Sequence, residues 1–337
     1  MKRFFTGLIS TCTLAVFTPL VFAADYQLDI SLDTAPTHVR NVAMVKFANE
    51  LSKRSNGQLE VRVFHAAAQY KGANVPTALA QGAIDMGAPM HQHFSKIIPE
   101  AGTVLLPMFY GASPEKIHAV WDGPAGDELN RLIEKKLRVK VIGRWFDLGY
   151  GTVFTTNKRL EKPEDMDGMK IRVPGGAANV QRYKTFGANP VSIPLSDLPQ
   201  ALQRGTVDGI WSTQETVRSA KLWESGIRYG FEDRQAYLQY VPMISLRSWN
   251  KYPTEIQNLI TLTWNDMIDE VRYVATEHQL EARHIGARNG IETVDPTPES
   301  LENMRQRLLL GQPEVVEELG ISKDFVAMVS AELDKLN

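Results

Sequence analysis

Arg172, inside Lys170-Ile171-Arg172-Val173-Pro174, is the side chain of this 337-residue sequence best suited to holding a ligand. Alternation puts Ile171 and Val173 on one face of a strand and Arg172 on the other. A guanidinium fork matches a carboxylate through two parallel hydrogen bonds, which a lysine cannot do. His91 and His93 lie two apart, so in an extended segment both point the same way. Two ligands fall short of a zinc site, so hydrogen bonding beside a cleft is expected and no metal. Asp33, Thr34, Met90, Leu195, Ser212 and Gln214 are the other polar or rim candidates, and Trp211 and Tyr150 are aromatics that could stack on a ligand. The sequence has no Gly-x-Ser-x-Gly elbow, phosphate loop or His-Glu-x-x-His. Gly149-Tyr150-Gly151 lacks the third glycine of a dinucleotide site, so no cofactor is expected.

These candidates lie where the strands of the sequence should end. Val75-Pro76-Thr77-Ala78-Leu79-Ala80-Gln81-Gly82-Ala83-Ile84-Asp85 returns as Leu198-Pro199-Gln200-Ala201-Leu202-Gln203-Arg204-Gly205-Thr206-Val207-Asp208. Pro suits the first turn of a helix and Gly its end, so each copy predicts a short helix followed directly by a strand. Tyr26 to Leu32 and Leu59 to Val63 alternate as strands around a helix containing Met44, Phe47 and Leu51. Met169 to Val173, Ala177 to Phe186 and Pro190 to Ile193 repeat that scheme as strand, helix and strand. The fold class is α/β, with two lobes of parallel sheet and a cleft between them. In open sheets ligands lie beyond the carboxyl ends of the strands. Pro253 opens a helical pattern running to about Arg288, on the order of 50 Å at ~1.5 Å per residue, long enough to span both lobes. Residues 24–149 and 239–275 are expected in the first lobe, and 150–238 and 276–337 in the second. Tyr150 to Thr155 and Gln239 to Ser245 are the expected crossovers.

Residues 1–23 predict a cleavable secretory signal: Lys2 and Arg3, an apolar run from Phe4 to Leu20, and small residues ending at Ala23. The single cysteine, Cys12, lies inside it, so the exported chain would carry no thiol. Formal net charge is −2 with no basic run, which speaks against nucleic acid.

Longer stretches resemble one family. Phe47-Ala48-Asn49-Glu50-Leu51 through Ser55-Asn56-Gly57-Gln58-Leu59, Gln81 to Gly87, Leu106-Pro107, Pro163 to Pro174, Gly187 to Pro190 and Ala201 to Gly209 keep the order found in solute-binding proteins of tripartite ATP-independent periplasmic (TRAP) transporters, the DctP-like family. The resemblance implies a periplasmic protein that traps a small organic acid between two lobes and delivers it to TRAP membrane subunits. It also implies that Arg172 matches the family arginine that holds the carboxylate. Many acid-sugar binders place a second arginine where this chain has Gly151, Thr152 or Val153. After the second Asp-Gly, many continue x-Glu-Asn, but here Ile210 is followed by Trp211 and Ser212. Charged rim residues of some members are replaced by Met90 and His93. By subtraction, the expected ligand has one dominant anionic end, and an aromatic or branched aliphatic acid suits Trp211. The alternatives are a periplasmic ligand sensor and an exported, metal-dependent enzyme using His91, His93 and Asp33.

Overall fold

The structure, a computed structural model, describes residues 24–336. The expected signal and Cys12 lie outside the described residues. In chain order the elements begin β1 (Tyr26–Ser31), α1 (Val39–Arg54), β2 (Leu59–Phe64), α2 (Val75–Gln81), β3 (Met86–Gly87), α3 (Pro114–Trp121), α4 (Pro124–Leu137) and β4 (Val139–Val141). There follow β5 (Phe146–Tyr150), β6 (Thr152–Thr155), β7 (Lys170–Val173), α5 (Ala177–Thr185), β8 (Asn189–Ser192), α6 (Leu198–Gln203), β9 (Gly209–Ser212) and α7 (Gln214–Ser219). The chain ends with β10 (Tyr229–Phe231), β11 (Tyr237–Tyr240), β12 (Met243–Ser245), α8 (Leu246–Trp249), α9 (Thr254–Arg288), β13 (Glu292–Val294), α10 (Pro298–Leu310), α11 (Gln312–Glu318) and α12 (Lys323–Asp334).

The duplicated segment becomes α2 followed by β3, and α6 followed by β9. Gly82 and Gly205 both take left-handed backbone, at φ +66° and +65°, where a side chain would be strained. The two strands occupy equivalent places. One sheet runs β2-β1-β3-β12-β4 and the other β13-β10-β6-β9-β7-β8. β1 is parallel to β2 and β3, as β7 is to β8 and β9. Each parallel trio is then extended by an antiparallel strand, β12 beside β3 and β6 beside β9.

Each sheet with its helices forms a lobe. β5 and β11 pair antiparallel as a ribbon, and each leads directly into the antiparallel strand of one sheet. The long helix α9 covers 35 residues, as the periodicity predicted, and packs against both α1 and α7. Trp264 in its first half lies edge-on to Phe47 of α1. Gln279 in its second half accepts from the backbone N–H of Glu215 on α7. No described helix is long and apolar enough to cross a membrane.

The C-terminal helices depart from expectation. They were placed with the second lobe, yet α12 packs on α3 and α4, and α10 on the turn at Pro107–Phe109. Phe325, Val329 and Leu333, spaced four apart, form one buried face of α12. That face joins the cluster containing Ile117 and Val120 of α3 and Leu129 and Ile133 of α4. α3 and α4 themselves were not read from the sequence.

Candidate functional site

A cavity of about 660 Å³ opens between the lobes at the carboxyl ends of the parallel strands. β7 carries Arg172 to its floor, where the side chain is only 3 % exposed. Ile171, Arg172 and Val173 are all buried, so the strand's second face is covered as well as the first. Nε donates to the carbonyl of Ile193 at 2.8 Å and Nη1 to that of Trp211 at 3.3 Å. Both acceptors lie where β8 and β9 end, so the sheet itself aims the fork. Nη2 has no partner among the described residues. Burial pulls the Arg172 pKa down to about 10, against the opposing pull of Asp33, and the group stays cationic at neutral pH.

The first lobe supplies the opposite wall. Asp33 and Thr34 follow β1, and Met90, Gln92 and His93 follow β3. Arg40, in the first turn of α1, reaches the same space. It is bonded to Asp33, to Thr34 Oγ1 from Nε (3.1 Å) and Nη2 (2.9 Å), and to the Ala88 carbonyl from Nη1 (3.2 Å). Its guanidinium also lies 4.6 Å from the centre of the Tyr240 ring. Burial pushes the Asp33 carboxyl up, but Arg40 and His93 outweigh it and hold it below its ordinary value. Burial pulls His93 down to about 4, with Asp33 resisting and Arg40 and Arg172 assisting. His93 is therefore neutral at physiological pH.

Asp33, Thr34, Met90, His93, Arg172, Leu195, Trp211 and Ser212 all line the cleft. His91, Tyr150 and Gln214 do not. His91 and His93 fall in a 3-10 turn rather than an extended segment, so their rings diverge. His91 turns inward, with its ring 4.4 Å from that of Trp145, and burial takes it down to about 3. That separation also removes the His91–His93–Asp33 grouping on which a metal-dependent enzyme was considered. Tyr150 faces Tyr237 edge-on and donates to the Ala112 carbonyl. Gln214 opens α7 and donates to Glu232 at 2.7 Å.

Two retained residues have other duties. Thr34 uses its hydroxyl on Arg40 and Asn41. Trp211 is 1 % exposed and has the Arg182 guanidinium 5.3 Å from its ring centre, so it is a wall with one face occupied rather than a free stacking plate. Its indole edge lies against Gly151, where an added Cβ would come 2.6 Å from Cε2. A side chain at 151 would therefore force the tryptophan at 211 to shift.

Arg40, Gln92 and Tyr240 were missed. Arg40 carried a signal: a cation in the first turn of a helix opposes the helix dipole and needs a specific anion nearby. Tyr240 ends β11, far along the chain, and no local pattern connects it to α1.

A family model described as bacterial extracellular solute-binding protein, family 7 (DctP), matches residues 30–312. The chain belongs to this family. Among curated relatives, the 2,3-diketo-L-gulonate-binding periplasmic protein YiaO of Escherichia coli is 28 % identical over 211 residues, 63 % of each chain. The match thus spans a little under two thirds of that relative's length. The sugar acid binding protein DctPAm of Advenella mimigardefordensis, solved with galactonate, has the same fold as this DctP-family chain. Its TM-score is 0.87 at 20 % identity, covering 94 % of this chain and 100 % of that one. A TRAP periplasmic solute-binding protein of Sulfurospirillum deleyianum, solved with succinate, gives a TM-score of 0.83 at 23 % identity, covering 91 % and 99 %.

Proposed function

We propose that this protein captures a small organic acid in the periplasm and delivers it to a TRAP-type membrane transporter. The observation that carries the reading is Nη2 of Arg172, without a partner among the described residues, on a buried cation aimed by two strand-end carbonyls into a cavity formed by both lobes. An isolated buried guanidinium is costly unless paired, and a carboxylate meets both its charge and its geometry. Family membership supports solute binding over catalysis. Galactonate and succinate in the neighbouring structures are both carboxylates, which supports the ligand class. The Lys2–Ala23 leader and the periplasmic relative support the location.

A thermal-shift screen of organic acids tests it. A ligand at about a hundred times its dissociation constant adds about 2.7 kcal/mol to stability, so a carboxylate ligand should raise the melting temperature clearly. Arg172→Lys should abolish the shift, and a shift that survives it would overturn the reading. Crosslinking in cells would test the transporter partner.

A further inference from the structure

Two guanidiniums face the cleft, yet only Arg172 brings uncompensated charge. All three nitrogens of Arg40 are taken by Asp33, Thr34 and the Ala88 carbonyl, and its face lies on Tyr240. We propose that Asp33 sets the charge of the ligand: by consuming Arg40 it selects acids with one carboxylate, held at Arg172, and a far end that carries hydroxyl donors. This deepens the carboxylate reading above and rests on it.

The Asp33 carboxylate lines the cleft with its side chain 11 % exposed, Oδ1 taken by Arg40 and Oδ2 turned toward Gly72, which lines the same space. An added Cβ at Gly72 would meet Oδ2 first and lie 2.8 Å from His93 Cε1 and 3.0 Å from Asp33 Cγ, so glycine at 72 leaves Oδ2 open to a ligand group. A second ligand carboxylate would therefore meet a fixed anion in a desolvated space, whereas a ligand hydroxyl would donate to it. His93 cannot offset the repulsion because it is neutral at physiological pH. The lysines that line the cleft, Lys96 and Lys184, are exposed, where solvent and salt screen them. The Ser212 hydroxyl, without a protein partner among the described residues, and the unpaired buried Oε1 of Gln92 suit further ligand hydroxyls. These groups stand beside an apolar wall that includes Met90, Leu195 and Trp211, so the far end of the ligand meets both kinds of surface.

Matched pairs differing only at the far end give the test: gluconate with glucarate, and 4-hydroxybutyrate with succinate, titrated by calorimetry at pH 7.5. The wild type should bind the monoacid of a pair on the order of tenfold or more tighter than its diacid, the size of one charged hydrogen bond. Asp33→Asn frees Arg40 and should collapse or invert that ratio. Asp33→Asn with Arg40→Gln removes the freed cation, so the gain for the diacid should vanish again, which a mere folding defect would not produce. A wild type that prefers the diacids, or an unchanged ratio in Asp33→Asn, would overturn the proposal. Arg172→Lys separates the two readings. If it binds the four acids as the wild type does, the carboxylate reading falls. If it loses them while Asp33→Asn leaves the ratios alone, only the role of Asp33 falls.

Discussion

Arg172 arrives in the cleft with two nitrogens already committed to strand-end carbonyls, so its remaining fork is held without the ligand's help. Pre-positioning lowers the entropy lost on binding, and removing one partner of a buried charge pair costs about 2–5 kcal/mol. Arg172→Ala should weaken acid binding on the order of thirtyfold or more by calorimetry, and Arg172→Lys should bind poorly too, because one ammonium nitrogen cannot span the two carbonyls and still present a two-pronged face to a carboxylate. Neutral His93 makes a second prediction: affinity should stay nearly flat from pH 6 to 8, since its pKa of about 4 lies below that range. Affinity fading across that range would assign His93 a charged role. His91 acts on stability instead. The unfolded chain protonates it near pH 6.5, the folded one only near pH 3, so stability is lost as pH falls through that window, at up to about 1.4 kcal/mol per pH unit. Burial pushes Asp233 up to about 7 and works in the opposite direction over much of the same range. Urea unfolding between pH 4 and 6.5 should therefore show a shallower acid slope in His91→Gln than in the wild type, and an equal slope would refute the assignment.

At the scale of elements, β6 and β9 meet where Gly151 precedes one strand and Trp211 sits in the other, with Trp211 directly opposite Val153. Overfilling such a contact typically costs about 1–3 kcal/mol. Gly151→Ala should destabilise by that order, and Trp211→Phe, which lacks the crowded indole edge, should relieve it. The double variant is thus expected to be more stable than the sum of the single changes predicts. Simple additivity in urea titrations would mean that the two positions do not compete. The same contact shapes the cleft wall, so Gly151→Ala should also weaken ligand binding.

Across the whole molecule, the lobes meet on both sides of the cleft. Lys71 and Asp197 pair at 2.8 Å, an exposed link between the loop before α2 and the turn before α6. Nearer α9, the fully buried Glu215 accepts from the Val39 N–H at 2.9 Å, and Arg218 bonds both Glu215 and the Thr37 carbonyl. Contacts of this kind belong to an arrangement with the lobes together. A site shared by two bodies is complete only then, and the β5–β11 ribbon with α9 is where bending should concentrate. Small-angle scattering should give a smaller radius of gyration with ligand than without. Glu215→Gln, which weakens a charged hydrogen bond across the lobes, should reduce affinity about tenfold while the saturated radius is unchanged. Full affinity in that variant would place closure elsewhere.

How much of this was legible in the sequence follows from the range of each interaction. The repeat, the α2 and α6 helices, the α9 span and the parallel trios depend on periodicity and on proline and glycine at helix ends, which act within a few residues and were read nearly to the boundary. Arg172 was legible for the same reason, since strand alternation and the strand-end rule are local. The fate of its neighbours was not. His91 and His93 were separated by a 3-10 turn whose geometry depends on the core beside Trp145, and Tyr150 and Gln214 were drawn away by partners at Ala112 and Glu232. The C-terminal helices were placed by sequence order, but the apolar face of α12 is satisfied against α3 and α4. Above all, the charge of the cleft was a tertiary matter. Composition counts Arg40 as a cation, but only the fold brings Asp33, Thr34, Ala88 and Tyr240 around it, because electrostatic compensation depends on distance in space and is blind to distance along the chain.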